Sequence, residues 1–106
     1  MNIQEFLVKT HGMTVRPKVQ CVDGFAMSIQ ASRNHYCTPR DDSGSYSEIE
    51  IGFPSSADDS LTDYAEDADN PTGTVYAYVP VDVAQQVIDK HGGIAPTLTM
   101  MTVMLR

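Results

Sequence analysis

Residues 46–53 read Tyr-Ser-Glu-Ile-Glu-Ile-Gly-Phe, and their strict alternation decides the fold class. Successive side chains on a strand point to opposite faces, so Ile49, Ile51 and Phe53 are expected on one face and Glu48 and Glu50 on the other. One face suits a core and the other suits water, the pattern of an antiparallel sheet with a solvated side. Pro54, which cannot donate to a ladder, ends the strand.

Toward the N-terminus, residues 32–45 gather Asn, Pro, Asp, Gly and Ser without a period and read as a long loop. Before it, Phe25, Met27, Ile29 and Ala31 alternate with Ala26, Ser28 and Gln30. Asp23-Gly24 is a hairpin signal, so this run is expected to pair antiparallel with Thr14–Val22. Pro17 assigns that first strand to an edge or a bulge. Met1–Gly12 reads as an amphipathic helix. Asn2 caps it, Glu5 completes a capping box, Ile3, Phe6, Leu7 and Thr10 share a face, and Gly12 supplies a left-handed stop.

Toward the C-terminus, Ser56 with Asp59 three residues later predicts a short acidic helix. Leu61, Tyr64, Ala65 and Ala68 would form its buried stripe, with Asp59, Asp63, Glu66 and Asp67 on a second stripe. Like charges at that spacing destabilise a helix by about 0.2–0.5 kcal/mol per pair, so this helix is expected to be marginal unless docked. Asp69-Asn70-Pro71-Thr72-Gly73 is a turn. In the strand Thr74–Val79, Val75, Ala77 and Val79 alternate with Tyr76 and Tyr78. Pro80 then opens the best helix, with Val83, Ala84, Val87, Ile88 and His91 as its apolar stripe and Gly92-Gly93 as its stop. Thr97–Leu105 reads as a closing strand, apolar on both faces and parallel to the Thr74 strand if the two are neighbours. The sum is a single α+β domain over residues 1–106. Its mostly antiparallel sheet would have about five strands, with two main helices packed on one face and the short acidic helix beside them.

Charge adds a functional lead. The 106-residue chain carries a formal net charge of −7. The stretch from Asp41 to Asp69 holds Asp41, Asp42, Glu48, Glu50, Asp58, Asp59, Asp63, Glu66, Asp67 and Asp69, and not one Lys or Arg. The rest of the chain has only Glu5, Asp23, Asp82 and Asp89 against all seven basic residues. Like charge in one block repels itself, and its productive use is to steer and seat a positively charged partner. Direct binding to nucleic acid or anionic membrane is disfavoured, because phosphates call for a basic surface. The expected partner is a basic protein, with Tyr46 and Tyr64 among the acids as candidate anchors.

Other chemistries fit less well. His35, Cys37 and Cys21 invite a metal, but structural zinc takes its ligands in close pairs and only one loose pair exists. Asp67-x-Asp69-Asn70 begins like a calcium loop, yet Gly73 falls one place late and Tyr78 stands where Glu is needed. Cys37 with His35 as base would need a third orienting group and an oxyanion hole, and side chains at i, i+2 need not meet. Two cysteines are most simply buried thiols in a reducing cytosol. No signal peptide and no run of roughly 20 apolar residues is present, so a cytoplasmic, non-enzymatic protein without metal or cofactor is expected.

Tyr46–Ser55 followed by Tyr64–Gly73, together with the size and charge layout of the chain, resembles the small acidic accessory proteins of phages and mobile elements, the anti-CRISPR proteins above all. That resemblance implies an inhibitor acting in an infected bacterial cell by occupying the basic nucleic-acid channel of a host defence complex. Such proteins share no motif, so it assigns no residue. The rival reading is a virion, assembly or self-associating domain, with a Cys37 enzyme behind it.

Overall fold

The computed structural model describes residues 1–96. Four strands, β1 (Val19–Gln20), β2 (Ala26–Gln30), β3 (Glu48–Gly52) and β4 (Val75–Pro80), form one sheet in chain order. Every neighbouring pair is antiparallel. Helix α1 (Ile3–Lys9) precedes the sheet and α2 (Val81–Lys90) follows it. The α+β class and the antiparallel sheet are as the alternation predicts. Four strands are seen among the described residues, and the expected fifth, Thr97–Leu105, lies outside them. The chain leaving α2 returns to β1: Ile94 bridges Cys21 antiparallel, and Ala95 N–H donates to Gln20 O at 2.8 Å.

Local signals account for both helices. Asn2 Oδ1 accepts from Glu5 N–H at 2.8 Å and the Glu5 side chain accepts from Asn2 N–H, which completes the capping box. Ile3, Phe6 and Leu7 of α1 and Val81, Ala84, Val87 and Ile88 of α2 enter the same apolar cluster as Met27, Ile29, Ile49, Ile51, Tyr76 and Val79 of the sheet. Ile3 N–H also donates to Gln85 Oε1 at 2.8 Å, tying the two helices together. Gly92 and Gly93 take left-handed φ values of 88° and 89° at the end of α2.

The first strand is shorter than Thr14–Val22, and Pro17 is the reason. Pro17 has no N–H to donate, and next to it the Gln30 side chain rather than a strand backbone holds Arg16. Its Oε1 accepts from Arg16 N–H and its Nε2 donates to Arg16 O, both at 2.9 Å. The buried Arg16 guanidinium donates to Leu7 O, Thr10 Oγ1 and Ala31 O, so it closes the C-terminal end of α1, where the helix dipole favours a cation. Burial holds its pKa below the usual arginine value, against the opposing influence of Tyr46 and Cys37.

Two expectations about alternation fail where the backbone turns left-handed. Alternation places Phe53 beside Ile49 and Ile51 in the core, but at φ 50° its ring swings out and is 48% exposed. On β4, Ile51 faces Tyr76 while Ile49 faces Val79, so one extra residue is inserted as a bulge. Tyr76 and Val79 therefore both point into the core, and Tyr78, at φ 53°, points out. A strand read as simply alternating would have separated Tyr76 from Val79.

The acidic helix is also corrected. Only a single 3₁₀ turn, Thr62–Tyr64, forms there, and Ala68 is exposed. Ala65 instead bridges Tyr76 of β4, and Glu66 N–H donates to Val75 O at 3.0 Å. Aspartates bonded to nearby backbone compete with helix, as Asp58 does with Ser60 N–H and Asp67 with Asp69 N–H. Leu61 is buried as expected.

Candidate functional site

The acids fall into three settings. Glu48 and Glu50 stand on the solvated face of β3, opposite in direction to the fully buried Ile49 and Ile51. Strand spacing puts them about 7 Å apart along the strand. Ala65 faces the buried Tyr76, so by alternation Glu66 turns to the outer face, beside Val75 and two strands from Gly52. Asp59, Asp63, Asp67 and Asp69 are exposed on the connection at the Gly52–Val75 end of the hairpin. The acids of the 59–69 connection are thus displayed by an extended segment and one 3₁₀ turn rather than by a helix.

At the other end Asp41 and Asp42 are exposed, but their settings differ. Asp42 pairs with Arg33, Nε to Oδ2 at 3.3 Å, and its carbonyl meets His11 Nε2 at 2.9 Å. Asp41 accepts from Ser43 N–H, which holds its carboxyl below the usual range. Tyr46 is not an exposed anchor. Its ring is buried and its hydroxyl donates to Asp41 O at 2.8 Å, with burial pushing the phenol pKa up. Tyr64 is half-buried against the core.

Asp58 is withdrawn from the surface altogether. Its side chain is 4% exposed and accepts from Lys90 Nζ through both oxygens, at 3.0 and 2.9 Å, and from Ser60 N–H. Burial pushes this carboxyl up, but the bonds from Lys90 and Ser60 outweigh it and leave the pKa lowered. His91 stands beside it, with Nε2 3.6 Å from Asp58 and Nδ1 2.7 Å from Asp23, its ring stacked on Phe25 at 4.0 Å. This cluster ties the end of α2 to the β1–β2 turn and to the 58–60 turn. Nothing in the local sequence announces it, because its members are 32 and 68 residues apart.

Beyond these pairs, Asp41, Glu48, Glu50, Asp59, Asp63, Glu66, Asp67 and Asp69 have no cationic group within ion-pair distance among the described residues. Among the described residues Asp42 and Asp58 are ion-paired, Glu48 and Glu50 are half-buried, and Asp41, Asp59, Asp63, Glu66, Asp67 and Asp69 are exposed.

The same outer face carries aromatics that sequence reading missed. The Tyr78 N–H, turned outward by the bulge, donates to Tyr36 O at 3.1 Å, and Tyr36 N–H donates to Glu50 Oε1 at 3.2 Å. The two rings lie 6.0 Å apart at 48°, 37% and 41% exposed, and the Arg40 guanidinium sits 5.3 Å from the Tyr36 ring centre. Thr38 bridges Glu48 and its hydroxyl donates to the Glu48 carboxylate at 2.7 Å. The sequence signal for this patch was slight: two tyrosines in unrelated segments.

Both cysteines are buried and unpaired with each other. The single Cys37 S–H lies between Ser32 O at 3.1 Å and Pro39 O at 3.4 Å, while His35 Nδ1 meets Ser32 Oγ at 2.7 Å, so the two side chains engage different atoms of Ser32 and not each other. Burial pushes both the Cys37 and the Cys21 thiol up, away from the reactive thiolate. Among the described residues no three His, Cys, Asp or Glu side chains converge to hold a metal ion, and no helix is long and apolar enough to cross a membrane. Comparison with protein-family models, characterised proteins and solved structures finds no match to this chain.

Proposed function

We propose that this protein is a non-enzymatic inhibitor that binds a basic, nucleic-acid-handling protein and covers its phosphate-binding channel with carboxylates. In the setting of the resemblance drawn above, the target is a host defence complex and the inhibitor a phage product. The observation that carries the reading is the set of unpaired acids on the β3 face and the 59–69 connection. Self-repulsion among them works against the fold, and a cationic partner would relieve it. Lys and Arg that hold phosphates can pair with carboxylates in the same charge-assisted way. Asp58 takes no part in binding, Tyr46 serves the core, and Asp41 and Asp42 lie at the margin of the contact.

The test is capture from a bacterial lysate with wild-type protein and with the triple variant Glu48→Lys, Glu50→Lys, Glu66→Lys. A nucleic-acid-binding protein retained by the wild type, displaced by duplex DNA and lost in the variant supports the reading. A retained protein that ignores both the DNA and the reversals refutes it.

A further inference from the structure

We propose that the Tyr36–Tyr78 pair is the anchor of this interface and that it receives an arginine side chain of the partner, laid over the tyrosine rings with the Glu50 carboxylate beside it. The inference rests on the acidic-face reading and goes further, naming the partner group that is recognised.

Three features of the patch point to a guanidinium. The ring face of Tyr36 already accepts one, since Arg40 sits 5.3 Å from its centre. Arg40 has no carboxylate within ion-pair distance among the described residues, so its hold there is the ring alone and is open to exchange. Glu50 spends one oxygen on Tyr36 N–H at 3.2 Å, and a carboxylate has further lone pairs for a guanidinium N–H. Flat stacking with a forked hydrogen bond suits arginine and not the compact ammonium of lysine.

The backbone at position 78 does not call for a tyrosine. A bulge residue at φ 53° is a position that glycine fills without strain. Tyr78 keeps a side chain where the backbone disfavours one, and displays it to solvent beside Tyr36. The packing of the core does not call for that ring.

The experiment titrates the protein with a hexa-arginine peptide and, separately, a hexa-lysine peptide at low salt, measuring Kd and following the tyrosine ring resonances. The arginine peptide is expected to bind about three- to tenfold tighter, with the largest shifts at Tyr36 and Tyr78. Tyr78→Gly should erase that preference while its Tm holds or rises, which separates loss of the ring from loss of the fold. Arg40→Ala should tighten arginine-peptide binding by removing the internal competitor. Equal affinity for the two peptides, a preference that survives Tyr78→Gly, or weaker binding in Arg40→Ala overturns the anchor. In those cases both peptides still bind and the acidic-face reading stands. Binding of neither peptide overturns the anchor together with the reading beneath it.

Discussion

Replacing Lys90 by Met tests how the one withdrawn acid is stabilised. Asp58 is 4% exposed and Lys90 52%, so the two ends of their ion pair are unequal. Removing the lysine strands a buried carboxylate, which keeps only Ser60 N–H at 2.9 Å and His91 at 3.6 Å. Breaking a fully buried pair costs 3–5 kcal/mol, and these remaining contacts reduce the loss to roughly 2–3 kcal/mol. Asp58→Asn instead leaves an ammonium that returns to water, and its amide oxygen still accepts from Ser60, so about 1 kcal/mol is expected. At about 4–8 °C per kcal/mol for a domain of this size, Lys90→Met lowers Tm by about 10–20 °C and Asp58→Asn by about 4–8 °C. Acid supplies a second readout. The native Asp58 carboxyl has a lowered pKa, and so does Asp23, through Phe25 N–H and then His91. Groups lowered in this way stabilise the fold above the ordinary carboxylate range and lose that contribution as pH falls through their native values. Thermal unfolding followed by circular dichroism from pH 7 down to pH 3 should therefore show wild type converging on Asp58→Asn. An Asp58→Asn loss equal to or greater than that of Lys90→Met, or a gap between wild type and Asp58→Asn that widens in acid, refutes this account of the cluster.

Arg16→Met removes three charge-assisted bonds and leaves Leu7 O, Thr10 Oγ1 and Ala31 O short of donors, so roughly 3–4 kcal/mol of stability is expected to go, measured by urea unfolding. Both cysteines should resist a thiol reagent in the native protein and react in full once urea unfolds it, because both are buried with raised pKa values. Rapid labelling of Cys37 at neutral pH would contradict its assigned place under Ser32 O and Pro39 O.

What could be read from sequence was what local chemistry decides. The Asn2–Glu5 box, the Asp23-Gly24 hairpin, the β3 alternation and the Gly92-Gly93 stop each act within a few residues. What could not be read depends on partners far along the chain. Asp58 and Asp59 are adjacent and identical in type, yet Lys90 takes one inward and leaves the other in water. The bulge that turns Tyr78 outward arises from pairing with β3, and the Gln30 side chain holds the backbone of Arg16, next to Pro17, from fourteen residues away. The acidic helix failed for a related reason. Its aspartates had local backbone bonds to make, and β4 offered Ala65 and Glu66 an edge to join. The charge block was legible as composition, while its division into a face, a connection and a buried pair was not.

The most direct test of the acidic face is the salt dependence of its affinity for the captured partner, measured for wild type and for the Glu48, Glu50 and Glu66 reversal. Carboxylates standing in for phosphates predict a logarithm of affinity that falls steeply and linearly with the logarithm of salt concentration, a lost interaction in the variant, and competition with duplex DNA. An affinity that is flat in salt and untouched by the three reversals would contradict it.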